Sequence, residues 1–345
     1  MPLLRVSCAV LSLFSLFVAL PSAADEVTGK QLVDGLEGAF GKHPQLRRAH
    51  PKGICVSGDF TPTPAAKSLS KSLLFEGGSV PVVGRFSLAG GDPEVPDAAR
   101  IPRGLALRFT LKDKSLHQMA TISAPVFGAA TPETFLGMLK ALQRDPATGA
   151  RDQKRIEAFV TTHPDTQPQA RWLAEHGPAP SFAAATYFSV HAFKFSDAGG
   201  NARFVRFRFV PAGGDVRMSD AELKAAPHDF LRSELQSRLA KGPASWQLMV
   251  QLAEPGDATD DPTREWPAGR KDVHAGTLRL TAAESAEPGS CEPINFDPLV
   301  LSAGIEPSRD PILLIRSEAY AASSSRRKSE RKNAEKPAAP AAKKP

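Results

Sequence analysis

Several stretches of the chain alternate apolar with other side chains at a period of two, and this limits the possible folds more than any other feature. Leu105, Leu107, Phe109 and Leu111 share one face of such a run, and Trp246, Leu248, Val250 and Leu252 share another. Similar runs span residues 187–195 and 204–209. A strand sends successive side chains to opposite faces, so each run buries one face only if it is extended. Ala198-Gly-Gly-Asn201 lies between the last two runs and supplies the residues a hairpin turn needs. Strands of this kind predict an antiparallel sheet or barrel.

Helical signals are fewer. Thr131-Pro132 opens a run carrying Phe135, Leu136, Leu139 and Leu142, with proline where its missing N–H leaves nothing unpaired. Ser219-Asp-Ala-Glu222 forms a capping box before Leu223 and, past Pro227, before Phe230, Leu231, Leu235 and Leu239. A third helical region spans about 152–176, and a short amphipathic helix follows Val27. Ile312 to Ile315 reads by itself as an apolar strand entering a helical turn. The class is α+β, mainly β.

The ends differ from the middle. Arg5, an apolar run from Val6 to Leu20 and Pro21-Ser-Ala-Ala24 have the order of a signal peptide, which predicts cleavage after residue 24 and an exported, periplasmic or secreted protein. No stretch is long and apolar enough for an integral membrane span. The formal charge is +6, and residues 326–345 account for it, with eight Lys or Arg against two Glu. Without that tail and Arg5 the remainder stands near −1, so the charge marks an appendage rather than a nucleic-acid face. The expected organisation is a leader, 1–24, one folded domain, 25–325, and a basic Ala/Lys/Pro-rich disordered tail, 326–345, able to rest on an anionic envelope surface. Cys8 falls in the leader. Cys55 and Cys291 could pair in an oxidising compartment, but with no CxxC motif and so long a separation, two buried thiols are the favoured reading.

Six ordered segments then point to one family. RRAHPKGICVSGDF, residues 47–60, sets an arginine three residues before His50 and Lys-Gly after it. GRFSLAGGDPEVPDAARIPRGLALRF follows at 84–109, then APVF at 124–127, VHAFKF at 190–195 and DDPTREWP at 260–267. FDPLVLSAGIEPSRDPILLIRSEAY, 296–320, is the most specific. Together they resemble the haem catalases, and the closest pattern is that of the small, exported catalase-related peroxidases. The resemblance implies a catalase-like antiparallel β-barrel with surrounding helices. It further implies that the N-terminal arm and C-terminal helical domain of full-length catalases are lacking.

The same resemblance implies haem b, with Tyr320 as proximal iron ligand and His50 as the distal acid–base group. Ser87 matches the serine that hydrogen-bonds that histidine, Phe135 an aromatic packed on the haem, and Arg47, Arg85 and Arg327 the cations that hold propionates. His191 matches a histidine near the haem face and is a weaker candidate. Elementary chemistry agrees with these roles. A phenolate is a strong anionic donor to ferric haem, and Arg316, one helical turn before Tyr320, supplies a compensating charge. Tyr187, the second of two tyrosines, has no such neighbour in sequence. Peroxide must lose a proton at one oxygen and gain it at the other, which suits a neutral histidine. The eight histidines are dispersed, without the spacing of a metal-only site.

One departure matters. Where catalases place a distal asparagine, the aligned stretch reads Thr121-Ile122-Ser123-Ala124-Pro125, so Ile122 replaces the amide and Ser123 is left as a partial substitute. The expected activity is therefore a haem peroxidase that reduces hydrogen peroxide or organic hydroperoxides with a small-molecule reductant and has little catalase turnover. The alternatives are a true catalase and a non-enzymatic haem carrier or sensor, and the latter has no use for His50.

Overall fold

The computed structural model describes residues 26–286 and 288–335; the expected leader and the last ten residues of the expected tail lie outside them. The alternating runs form β1 (Gly53–Pro62), β2 (Val80–Leu88), β3 (Arg103–Thr110), β4 (Leu116–Ile122), β5 (Tyr187–Phe188), β6 (Phe193–Ser196), β7 (Ala202–Pro211), β8 (Ala244–Leu252), β9 (Asp272–Ser285) and β10 (Ile305–Pro307). Their order is β10-β6-β7-β5-β4-β3-β2-β1-β9-β8, and β7 also pairs with β8. That pairing closes eight antiparallel strands into a barrel and leaves β6 and β10 as a flap beside it. The inward faces bury the alternating residues, with the Phe86 ring 5.0 Å from Phe182 and 5.7 Å from Trp246 at the centre.

Two local devices shape the barrel. Between Ser57 and Gly58 the β1–β9 register slips. A Cβ at Gly58 would lie 2.0 Å from the Arg279 carbonyl oxygen, so only glycine allows this approach. The run expected at 187–195 is broken: Ser189 to Ala192 leave the ladder, with the Ser189 hydroxyl donating to the His191 carbonyl at 2.7 Å. The break turns Val190 and His191 towards the cavity described below.

Helices cover the barrel as α1 (Gly29–Phe40), α2 (Pro132–Ala141), α3 (Gln153–Thr162), α4 (Gln167–Glu175), α5 (Asp220–Ala225), α6 (Leu231–Lys241) and α7 (Pro311–Ala334). Three expectations are corrected here. Ile312 to Ile315 is no strand but the first turn of α7, because Asp310 Oδ1 accepts from the amides of Ile312 and Leu313 at 2.9 and 3.1 Å and Pro311 occupies the first helical position. The helix also continues nine residues past Ser325, held to the body by ion pairs of Arg326, Glu330 and Arg331. Finally, Cys55 and Cys291 form a disulfide across 236 residues, with Cα atoms 5.5 Å apart. β1 and the turn after β9 meet at ordinary disulfide reach, a closeness that sequence separation conceals.

Candidate active site

A cavity between the barrel and α7 encloses about 1350 Å³ of atom-free space, its open mouth included. It gathers the residues matched to the haem site above: Arg47, His50, Arg85, Ser87, Phe135, His191, Arg316, Tyr320 and Arg327 all line it. The rest of the wall is mostly apolar, with Val33, Leu36, Phe127, Phe188, Val190 and Ile315 among its residues and Arg48, Thr121, Asn295 and Ser323 as its other polar members.

His50 sits at the entry to β1 with φ +57°, a left-handed backbone uncommon outside glycine. Its amide donates to Gly90 O at 2.7 Å, and Arg85 donates to the carbonyls of His50 and Pro51, each at 2.7 Å. His50 Nδ1 lies 2.9 Å from Ser87 Oγ. Burial, and then the cations of Arg85, Arg316 and Arg47, push the imidazole down to about 3, so it is neutral across the physiological range. Ser87 pairs across the sheet with Gly104. A Cβ on Gly104 would lie 2.7 Å from Ser87 Oγ and 3.0 Å from His50 Nδ1, so the histidine occupies space that only glycine leaves. Sequence reasoning overlooked Gly104, although a glycine within a strongly alternating strand is the signal of such a close approach.

From α7, Arg316 Nη2 donates to Tyr320 Oη at 2.7 Å, and its guanidinium carbon stands 5.3 Å from the centre of that ring. Beside them His191 is buried with Nδ1 2.6 Å from Asp310 Oδ2. Burial lowers the affinity of His191 for protons and Asp310 opposes it, with a net shift downwards. Asp310 therefore caps α7 and orients His191 at once, a role not foreseen. Tyr187, by contrast, is a core residue whose hydroxyl donates to Phe182 O at 2.9 Å.

The arginines are well anchored. Arg47 Nη2 donates to the carbonyls of Cys291, Glu292 and Ile294 at 3.0–3.1 Å, and Arg327 is 2% exposed, with Nη2 3.3 Å from Glu292 O. Phe135 is half-buried, its ring 5.3 Å from that of Phe127. Ile122 presents hydrocarbon to the cavity. Ser123 does not substitute for an amide there: its hydroxyl accepts the Arg103 N–H at 2.9 Å, because neighbouring residues at a strand end face opposite ways.

The catalase family model matches residues 42–337. The chain belongs to the catalase family. A catalase-related peroxidase of Synechococcus elongatus is 47% identical over 305 residues, which is 88% of this chain and 90% of that protein. One from Mycolicibacterium paratuberculosis is 35% identical over 298 residues, 86% of this chain and 94% of its own length. A catalase of Schizosaccharomyces pombe is 29% identical over 291 residues, 79% of this chain but 56% of the relative. A fungal catalase structure superposes with a TM-score of 0.76 at 24% identity, over 83% of this chain and 60% of that one, and shows the shared fold.

Membership of the family implies haem, and the donor set fits it. A phenol paired with a guanidinium, an uncharged imidazole kept clear by a glycine, apolar walls and three arginines suit a flat, mostly apolar macrocycle bearing two carboxylates. Among the described residues no cluster of His, Cys, Asp or Glu could hold a metal ion directly, and no helix is long and apolar enough to cross a membrane.

Proposed function

We propose that this enzyme is a haem b peroxidase that reduces hydrogen peroxide or organic hydroperoxides at the expense of a small-molecule reductant, with weak catalase turnover. The observation that carries this reading is a neutral, serine-oriented His50 in the same cavity as the Arg316-paired Tyr320. Haem, when bound, supplies the redox chemistry that breaks the peroxide O–O bond. The chain does the rest. Tyr320 is the iron ligand, Arg316 balances its charge, Arg47, Arg85 and Arg327 hold the propionates, and Phe135 packs on the ring. With Nδ1 engaged by Ser87, His50 uses Nε2 to take the proton from one peroxide oxygen and return it to the leaving oxygen.

Ile122 supports the preference for peroxidase over catalase chemistry, since a hydrocarbon wall offers no hydrogen bond to orient a second peroxide. The 47% and 35% identical relatives are likewise named catalase-related peroxidases. Export to the periplasm or beyond is part of the same reading, and the Cys55–Cys291 bridge supports it because disulfides persist in oxidising compartments. Arg326, Arg327 and Arg331 are committed to contacts within the fold. Electrostatic contact with an anionic envelope surface therefore falls to Lys328, Lys332 and the three lysines after Glu335.

The test follows peroxide consumption by the haem-loaded protein with an oxidisable phenol present or absent, together with oxygen release. Donor-dependent turnover that collapses in His50→Ala is expected. Rapid oxygen release without a donor would instead make it a catalase, and turnover indifferent to His50 would remove the acid–base assignment.

A further inference from the structure

The segment that delivers His50 to the cavity is left-handed at two residues, Gln45 at φ +67° and His50 at φ +57°. Such backbone persists only where the surroundings enforce it. His50 itself is held by Gly90 and Arg85, but Gln45 to Ala49 depends on other contacts. At its middle lies Arg48, whose side chain is 2% exposed. Its guanidinium is fully engaged: Nε donates to Glu37 Oε1 at 2.6 Å, Nη1 to Leu46 O at 2.8 Å and Nη2 to Glu330 Oε1.

Glu330 belongs to the stretch of α7 that composition assigns to a tail. Its second oxygen accepts the Gln45 amide at 2.8 Å, so one carboxylate grips both the left-handed residue and the buried arginine. Arg331 Nη2 reaches Gln45 O at 3.1 Å, and the Arg48 amide donates to Ser323 Oγ at 3.3 Å. Arg326 completes the ring, pairing with Glu37 at 3.1 Å and Asp34 at 2.5 Å on α1. Arg48 and Ser323 also line the cavity, but the hydrogen bonds of the clamp go to one another and to the loop backbone rather than to His50, Ser87 or Tyr320.

We propose that Arg48, Glu37 and Glu330 form a positioning clamp through which the last turns of α7 fix the loop that carries His50. The position of the catalytic imidazole thus depends on residues 326–334. The kinetic part of this rests on the reading of His50 as the proton-transfer group; the structural part does not.

The clean reporter is the His50 amide, which bonds Gly90 and no member of the clamp. Glu330→Ala removes the clamp at a partly exposed carboxylate, Arg48→Leu removes it from the other side, and Glu330→Gln keeps one of the two acceptor oxygens. In the haem-loaded protein, Glu330→Ala should speed exchange at His50 and lower kcat/KM for hydrogen peroxide about 10- to 100-fold, as loosened reactive geometry does. The KM for the donor should hold, and Glu330→Gln, with one acceptor left, should fall between Glu330→Ala and wild type. Unchanged His50 exchange in Glu330→Ala would overturn the clamp, and, where His50→Ala abolishes turnover, so would faster exchange with unchanged kcat/KM. His50→Ala run alongside separates the two readings: if it keeps full turnover, the acid–base role fails while the exchange result still decides the clamp.

Discussion

Gly104→Ala adds a single methyl group at the place where the site has no room for one. The new carbon would stand 2.7 Å from Ser87 Oγ, 3.0 Å from His50 Nδ1 and 3.1 Å from His50 Cε1, against ordinary contacts of 3.4–4 Å. The strand backbone is fixed by pairing to both neighbours, so the imidazole and hydroxyl must retreat by several tenths of an ångström. Overpacking of this kind costs about 1–3 kcal/mol of stability. Misplacement approaching 1 Å costs about 100-fold in rate, so a 10- to 100-fold loss in kcat/KM is expected. Gly84→Ala is the matched control: its Cβ would meet Leu107 Cδ2 at 2.7 Å and Ala106 O at 3.0 Å, without touching His50 or Ser87. Thermal melts and initial rates of peroxide-dependent donor oxidation on both haem-loaded variants separate the effects. Similar destabilisation with loss of turnover only in Gly104→Ala supports the crowded histidine. Equal turnover in the two variants would refute it.

Other outcomes follow from the same geometry. Ser87→Ala removes one neutral hydrogen bond from His50 and should reduce kcat/KM about 2- to 10-fold while leaving the donor KM unchanged, measured by steady-state kinetics. Replacing Cys55 and Cys291 together by alanine should cost about 2–4 kcal/mol in a urea melt, and a melt identical to wild type would deny the bridge a structural role. His117 is buried and His50 half-buried at the cavity wall, and both are held down at about 3, against 6.5 in an unfolded chain. The folded state then refuses protons that the unfolded chain accepts, so this stability is whole above pH 6.5 and lost as pH falls towards 3. For the haem-free protein, two such groups give a slope of up to about 2.7 kcal/mol per pH unit between those limits, and urea melts from pH 7 to 4.5 should show it. A flat profile would contradict the holding of both rings as neutral bases in the folded state.

The strands, the α2 and α5 caps and the residues that line the cavity were legible because their signals are local. Period-two alternation, Thr131 before Pro132, and Arg316 one turn before Tyr320 each declare themselves within a few positions. What stayed hidden depends on contacts between distant segments. Cys55 and Cys291 meet only because β1 pairs with β9. Asp310 shows its double role only once the broken strand brings His191 beside the start of α7. The basic stretch at 326–334 has the composition of a solvated tail, yet Arg326, Glu330 and Arg331 find partners on α1 and the histidine loop. Ser123 looked available in sequence because alternation reveals which residues share a face, but not which face meets the cavity.

Absorption spectra of wild type and Tyr320→Phe, each titrated with ferric haem under identical conditions, bear most directly on the cavity. A high-spin ferric spectrum of a phenolate-ligated haem is expected for wild type and should be lost in Tyr320→Phe, with weaker haem retention. Identical spectra and affinities in the two proteins would contradict the placement of Tyr320 on the iron and, with it, the function assigned to this site.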